Sequence, residues 1–495
     1  MKKLYLCLSI LLLLVMASCK KTFLDAKPDG TIVDAQIKEA SDRYSKSAFN
    51  LANASIAGIY YFMHSFNTAG RASGRHDDFG QKSIDLSTDL MTEDMVQAAH
   101  HHFGFDYLLQ NNKQAFARTF TNWNFYYKVI FNANRILAPI DPNTADINVR
   151  GLRGQALALR AFSYLNLIQL YQQTYKGNEN AKGVPIYTIF SSDINELNGK
   201  SRGTVTAVYQ QIEKDLLAAI PALQGYQRMS KEQIDQHVAE GILARAYLNM
   251  ENWTKAADYA HQARQGLSLM SQTDYQDGFY NISNTEWMWG GDISGVPDFV
   301  ASFFGHIDNL DVNGYAGGLG IYKLISKKLF DQIPVTDVRR SVFNDPVTPQ
   351  YPDIDAYAQV KFVDKTGTNL GDYIYMRTAE MYLIEAEALA MNGNLGQAAQ
   401  VLFDLVKQRD PAYVMPPANG TLINEIRKQR RIELWGEGFS LNDFKRWKLG
   451  IDRTGSNHRP DAIFQYPAGD NLFIYQIPQA ELDANPKIPI SDQNP

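Results

Sequence analysis

Two segments of the chain follow the same helix–turn–helix pattern, and this pattern restricts the fold more than any other feature. Residues 246–257 (AYLNMENWTKAA) align with residues 388–399 (ALAMNGNLGQAA). Each segment reads as the end of one helix, a tight turn that contains asparagine, and a second helix that begins with small residues. Because small residues let two helices approach closely, the segments predict hairpins of the tetratricopeptide type, with two unrelated helical hairpins as the alternative.

Three earlier segments carry apolar residues at helical spacing, so the sequence predicts a mainly α-helical fold. The predicted helices cover residues 120–139, 150–171 and 204–220. Either Thr204 or Thr206 is expected to cap the third helix, which we expect to end before Pro221.

The chain begins with the features of a secretory signal that ends at a cysteine. Lys2 and Lys3 precede an apolar run over residues 4–16, which is too short for a membrane span of about 20 residues. Small residues then lead to Cys19, an ending that resembles a bacterial lipobox. We therefore expect a signal peptide over residues 1–18 and fatty-acid (palmitate) acylation of Cys19; an ordinary signal peptide that contains a cysteine is the alternative.

Composition fits one soluble globular body held without disulfides. The chain has two cysteines, of which Cys7 lies in the predicted signal, so the mature chain keeps only Cys19. The formal charge of −5 offers no basic surface for nucleic acid. We expect a lipidated tether over residues 19–31, a single domain over residues 32–495, and no further membrane-spanning segment.

Two long irregular stretches interrupt the helical pattern, near residues 66–107 and 271–320. The second is rich in glycine, aspartate, asparagine and aromatic residues. Long loops on a rigid helical body usually carry function, so both stretches are candidate binding loops.

Motifs of catalysis, cofactor binding and metal binding are weak. The sequence contains no Walker loop, nucleophile elbow or zinc-protease motif. The run His100–His102 is interpreted as a polar turn, because adjacent residues do not converge on one ion. The four acids Asp85, Asp89, Glu93 and Asp94 could serve as paired carboxylates or calcium ligands, but a solvated acidic helix is the interpretation we favour. No cofactor and no metal are predicted.

Three motifs resemble those of the SusD/RagB-like family of outer-membrane lipoproteins. They are residues 152–168 (LRGQALALRAFSYLNLI), 377–387 (RTAEMYLIEAE) and 430–447 (RRIELWGEGFSLNDFKRW). The resemblance extends over nearly the whole mature chain. It implies a tetratricopeptide-type scaffold with an irregular half that carries the ligand site. It also implies a non-enzymatic protein on the outer face of the outer membrane, which captures oligosaccharides or peptides and acts as a lid on a SusC-like TonB-dependent transporter.

The candidate ligand-binding residues combine side chains that hydrogen-bond to hydroxyls with aromatic rings on which sugars stack. They are Arg71, Arg75, His76, Asp78, Phe103, Tyr107, Tyr280, Trp287, Trp289 and Tyr315. For Trp287 and Trp289 we favour the core, because residues 286–290 (EWMWG) resemble the family's Glu-x-Ile-Trp strand, which is largely scaffold.

Two other functions remain open from the sequence. A glycoside hydrolase would need two carboxylates about 5–10 Å apart across a cleft. A tetratricopeptide adaptor would bind partner proteins in a concave helical groove.

Overall fold

The computed structural model describes residues 50, 52–190, 198–294 and 301–495. Residues 54–495 form one compact unit. The predicted signal peptide, the tether and Cys19 lie outside the described residues. Over the part of the chain that is described, no helix has the length and apolarity that a membrane crossing requires.

The described chain is mainly helical, as the sequence predicts. A helix that ends at residue 63 comes first. The labelled helices that follow are α1 (Gln81–Leu90), α2 (Gly104–Tyr107), α3 (Ala117–Leu137), α4 (Ile147–Tyr171), α5 (Val205–Leu223), α6 (Gln236–Asn249), α7 (Trp253–Arg264), α8 (Gln272–Tyr275), α9 (Phe303–Ile307), α10 (Tyr315–Gly318), α11 (Lys327–Phe330), α12 (Thr378–Met391), α13 (Leu395–Arg409), α14 (Leu422–Glu433), α15 (Ser440–Arg446) and α16 (Gln479–Ala484).

The long helices form a continuous scaffold in which each packs on the next. Helix α4 packs between α3 and α5, helix α5 packs on α6, and α6 packs on α7. Helix α7 then contacts α12, which packs on α13 and α14. Helix α4 is buried along most of its length, as its mixed run of leucine, alanine and aromatic residues requires.

Helix α5 starts where the sequence predicts but ends later. The Thr204 hydroxyl accepts a hydrogen bond from the backbone N–H of Ala207 at 3.1 Å and caps the helix. The helix does not end before Pro221; it continues to Leu223 with Pro221 inside its last turns. A proline this close to the C-terminal end removes only one helical hydrogen bond, so the prediction was wrong at this boundary.

Both predicted hairpins are present. Helices α6 and α7 are joined across residues 250–252, and helices α12 and α13 across residues 392–394. Gly393 has a φ of +84°, a left-handed conformation that favours glycine. Ala398 and Ala399 are buried in a cluster with Leu383 and other apolar side chains of α12, α13 and α14.

We expect Ala399→Leu to destabilise the protein by roughly 1–3 kcal/mol, because it adds methylenes to a packed helix crossing. Ala399 is only 3% exposed. The measurement is the free energy of unfolding in urea. Gln397→Leu is the matched control, since Gln397 is exposed on the same helix. Equal stability of the two variants would show that this face of α13 is not a packed crossing.

Strands are short and occur as antiparallel pairs. They are β1 (Met95–Gln97), β2 (Trp287–Gly291), β3 (Lys323–Ile325), β4 (Tyr373–Arg377), β5 (Ile451–Asp452) and β6 (Gln465–Tyr466), paired as β1–β3, β2–β4 and β5–β6. In the first pair Met95 lies opposite Ile325. This pair therefore brings the later part of the first irregular stretch next to the chain that directly follows the second.

A buried network of ion pairs joins strands β2 and β4 to helices α13 and α14. Arg377 donates to Glu286 at 2.7 Å and to Glu433 at 2.6 Å, and its other nitrogens bond to Glu437. Arg409 bonds to both Glu286 and Glu433. Burial alone raises the pKa of Glu433, but the Arg409 and Arg377 guanidiniums hold it well below its usual value. Each charged group of the network has an oppositely charged partner within it, so the network fixes how strands β2 and β4 pack against helices α13 and α14.

Candidate functional site

The two irregular stretches meet at a cluster of aromatic and imidazole rings. His76, from the first stretch, forms a hydrogen bond through Nδ1 with the hydroxyl of Tyr315, from the second. His306 Nε2 lies 2.8 Å from the carbonyl oxygen of His76, to which it donates. The two irregular stretches are therefore in contact at these three residues.

The histidine cluster, as we call it, comprises His76, His101, His102, His306 and Tyr315. The Tyr315 ring centroid lies 4.7 Å from that of His101, 5.2 Å from that of His102 and 4.8 Å from that of His306. The rings of His76 and His102 stack with centroids 5.6 Å apart. His306 is buried, whereas the other four are half-buried. The cluster therefore presents a partly open surface made of polar rings.

Burial keeps the imidazoles of His102 and His306 uncharged at neutral pH. It lowers the pKa of His102 to about 4 and the pKa of His306 well below its usual value, where the nearby Lys323 contributes further. A neutral imidazole offers one donor and one acceptor nitrogen. The cluster can thus both donate to and accept from the hydroxyls of a ligand.

An arginine–aspartate pair fixes the loop that carries His76. Arg75 and Asp77 form two hydrogen bonds, of 2.8 and 2.6 Å. The buried Arg118 of helix α3 donates to the Asp77 backbone carbonyl at 2.9 Å and lies 3.4 Å from Asp106. Burial raises the pKa of Asp77, but Arg118 and then Arg75 hold it below its usual value, so its carboxylate is charged. Arg75 remains one-third exposed and lies next to His76 in sequence.

Three residues predicted to bind ligand are buried and support the loops instead. Asp78 accepts hydrogen bonds from the Thr68 hydroxyl and from the Ala69 backbone N–H, which closes the first loop on itself. The Phe103 ring lies between the Arg118 guanidinium and other rings. Tyr107 bonds through its hydroxyl to His458 Nδ1 at 2.7 Å. These side chains are not accessible to a ligand, so they are not part of the binding surface.

The two tryptophans of strand β2 are also in the core, as favoured from the sequence. Trp287 and Trp289 are buried. The Trp289 indole N–H donates to the Glu232 carbonyl at 2.9 Å, and its ring meets Phe162 edge-on. Neither tryptophan is accessible to a ligand, because strand β2 is buried along its whole length.

The contact between Tyr107 and His458 leads to a pH-dependent prediction. Burial, and then the Arg453 guanidinium, lower the pKa of His458 to about 3. In the unfolded chain the pKa of a histidine is about 6.5, so below that pH the unfolded state binds one more proton at this position than the folded state. We expect the stability advantage of the wild type over His458→Gln to shrink by about 2 kcal/mol between pH 7 and pH 5. Urea unfolding of both proteins at the two pH values measures it, and an unchanged difference would contradict it.

The remaining two predicted residues lie apart from the histidine cluster. Tyr280 lines a separate cavity of about 250 Å³ together with Asp274, Asp277 and Asn281. Arg71 is exposed, and its guanidinium lies 5.5 Å from the ring of Phe120 on helix α3.

The sequence predicts a solvated acidic helix, but in the structure these acids are buried or half-buried and are held by ion pairs and hydrogen bonds. Asp94 bonds to Arg431 of helix α14, and Glu93 bonds to the same arginine at 3.0 Å. Asp89 accepts hydrogen bonds from the backbone N–H groups of Gly438 and Ser440. The acids therefore dock the first stretch onto the C-terminal motif. Across the described ranges, no group of three or more His, Cys, Asp or Glu residues is arranged to hold a metal ion.

Family models match two long parts of the chain. A model described as "Starch-binding associating with outer membrane" matches residues 23–248, and a model described as "SusD family" matches residues 354–495. Both matched parts include motifs quoted above, and the second includes the buried Arg377–Glu433 network.

The chain belongs to the SusD/RagB-like family.

Solved structures of SusD-like proteins share the fold. A SusD-like carbohydrate-binding protein from Bacteroides vulgatus is 27% identical, with a TM-score of 0.77 over 90% of this chain and 98% of that one. A laminarin-binding SusD-like protein is 19% identical, with a TM-score of 0.66 over 90% of this chain and 99% of that one. A SusD-like protein from Bacteroides ovatus is 22% identical over 88% of this chain and 80% of its own length. The helical SusD-like architecture is thereby confirmed.

Proposed function

We propose that this SusD-like protein captures an oligosaccharide at the cell surface and passes it on without cleaving it. The observation that carries the proposal is the histidine cluster, where the two irregular stretches converge on a rigid helical body. The carbohydrate-binding relatives support the ligand class. A peptide is the alternative ligand from the sequence and is an outcome of the tests below.

The chemistry of the cluster suits a sugar ring. Tyr315 and His102 offer ring faces for the C–H surface of a pyranose, while the imidazole nitrogens exchange hydrogen bonds with its hydroxyls. Arg75 adds a directional cationic donor at the edge. Because the imidazoles of His102 and His306 are neutral, they add no charge to the Arg75–Asp77 pair beside them, which favours a neutral saccharide over a charged peptide.

The charged state of Asp77, which is next to His76 in sequence, supports binding without hydrolysis. A glycosidase needs one carboxyl group with a raised pKa to act as general acid, facing a second carboxylate across the cleft. The carboxylate of Asp77 is charged and is bonded to two arginines. Asp77 therefore positions Arg75, and it does not supply a proton to a leaving group.

Delivery to a membrane transporter sets the expected affinity. The proposed partner is a SusC-like TonB-dependent transporter, and the proposed location is the outer face of the outer membrane. A captured nutrient must be released, so we expect dissociation constants weaker than about 1 μM, which correspond to less than about 8 kcal/mol. Isothermal titration with maltohexaose, laminarihexaose, xylohexaose, mannohexaose and a mixture of short peptides tests the ligand class. Heat from the peptides alone would reject the oligosaccharide proposal.

The lipid anchor is tested by one substitution. We expect Cys19→Ala to leave a folded protein that no longer partitions with membranes, because Cys19 is the proposed site of acylation. Cells labelled with radioactive palmitate and extracted by detergent phase separation give the readout. Cys7→Ala is the control, since Cys7 lies within the predicted signal and should leave labelling unchanged. Label that persists in Cys19→Ala would refute the anchor.

A further inference from the structure

Helix α3 presents a row of aromatic side chains that the histidine cluster does not use. Phe120, Trp123, Tyr127 and Phe131 recur at helical spacing and lie along one face of the helix. From Phe120 to Phe131 this row is about 16 Å long. It forms one wall of an open cavity of about 350 Å³, which we call the α3 cleft.

The opposite wall of the α3 cleft comes from two distant parts of the chain. Tyr187 and Phe190 follow the Gly183–Ile186 segment, and Glu481 lies on helix α16 near the C-terminus. The ring of Tyr187 meets that of Tyr127 edge-on at 5.9 Å, and the ring of Phe190 meets that of Phe131 at 5.5 Å. Phe131 and Phe190 are 50% and 41% exposed, so the cleft opens to solvent at this end.

Hydrogen bonds hold the inner rings in place. The Tyr127 hydroxyl donates to the carbonyl oxygen of Pro185 at 2.8 Å. The Tyr187 hydroxyl accepts from the backbone N–H of Lys200 at 3.0 Å. The Trp123 indole N–H donates to Glu481 at 3.2 Å. The rings are thus oriented before any ligand arrives, which lowers the entropic cost of binding.

Polar groups line the same cavity as the rings. Glu481 accepts from Trp123 and from the Asn485 side chain at 2.8 Å, and Asn124 and Lys200 also line the α3 cleft. A surface that only docks an apolar helix has no need of a carboxylate, an amide and an amine along its wall. Ring faces combined with a few convergent polar groups, in a volume between about 300 and 1,000 Å³, describe a small-molecule site.

We propose that the α3 cleft is a second carbohydrate-binding site, which takes a pyranose ring against Tyr127 and Phe131 and bonds its hydroxyls through Asn124, Lys200 and Glu481. It shares no residue with the histidine cluster. Two sites on one surface protein would hold a long polysaccharide at two points and raise its avidity without a new contact at either site.

Native mass spectrometry of the folded protein tests the α3 cleft. The probes are maltohexaose, laminarihexaose, xylohexaose and mannohexaose at saturating concentration. We expect at least one probe to give two bound molecules per wild-type chain and only one per chain of Phe131→Ala/Phe190→Ala, with the affinity of the second molecule reduced at least tenfold. Tyr351→Ala is the control, since Tyr351 is a partly exposed aromatic residue on another loop.

A second variant guards against misfolding, and a third separates this proposal from the proposed function. Ala480→Trp places bulk in the α3 cleft from an exposed position on helix α16, so it should also remove one bound molecule without unfolding the chain.

Tyr315→Ala should leave binding in the α3 cleft intact. If Tyr315→Ala does not change binding but the cleft variants do, the proposed primary site is wrong and the cleft proposal stands. The second site would be overturned if Phe131→Ala/Phe190→Ala and Ala480→Trp both still bound two molecules of a probe. It would also be overturned if the wild type bound none of the four probes in the α3 cleft. Binding of a hydrophobic peptide in their place would overturn it as well.

Discussion

Arg377→Leu should cost the folded state about 3–5 kcal/mol, the largest effect on stability that we expect from any single substitution. Arg377 is fully buried and pairs with Glu286, Glu433 and Glu437. Without Arg377, Glu437 is paired only with Lys361, and Glu286 only with Arg409. Glu433 is still paired with Arg409 and Arg339. The remaining buried charges are then incompletely compensated, which is more costly than losing an exposed pair.

The matched control is Lys365→Met. Lys365 pairs with Asp277 at 2.7 Å, but both side chains are about half-exposed. An exposed pair of this kind contributes less than about 1 kcal/mol. Urea unfolding, followed by tryptophan fluorescence, compares the two variants with the wild type. If Arg377→Leu were as stable as Lys365→Met, the buried network would not hold strand β4 and helix α14 together.

Tyr315→Ala should weaken oligosaccharide binding at the primary site at least tenfold, a loss of about 1.4 kcal/mol or more. Tyr315 contacts the rings of His101, His102 and His306 and bonds to His76. Its removal takes away both a stacking face and the contact between the two loops. Tyr315→Phe keeps the face and loses the hydroxyl, so we expect it to bind with intermediate affinity.

Tyr280→Ala is the comparison for this prediction. Tyr280 lies in the second irregular stretch as Tyr315 does, but it lines a separate cavity. Calorimetric titration with the best probe of the hexasaccharide panel should give an affinity within about twofold of the wild type for this variant. If Tyr280→Ala lost the affinity that Tyr315→Ala kept, the site would lie at that other cavity.

The sequence predicts the scaffold because helix formation depends on local spacing. The hairpins α6–α7 and α12–α13 follow from small residues and an asparagine-containing turn within about 20 residues of chain. Pro221 misled the prediction of one helix end, because a proline is tolerated close to the end of a helix when only one hydrogen bond is lost.

The site is less predictable because its residues meet only through tertiary structure. His76, His102 and His306 lie far apart in sequence, and strand pairing between β1 and β3 brings their loops together. The run His100–His102 is evident in the sequence, but no local sequence pattern indicates that it contacts Tyr315. In the same way, burial of Asp78 and Tyr107 depends on partners such as Thr68 and His458, which composition does not reveal.

The most direct test of the central claim is a calorimetric titration of wild type and Arg75→Ala/Tyr315→Ala with the hexasaccharide panel, followed by chromatography of each recovered mixture. Wild type should bind at least one hexasaccharide with a dissociation constant weaker than about 1 μM. The double variant should keep its fold, as judged by circular dichroism, and lose most of that affinity. All of the sugar should be recovered intact. Shortened sugar in the wild-type mixture, or full affinity in the double variant, would contradict a binding protein whose ligand lies at the histidine cluster.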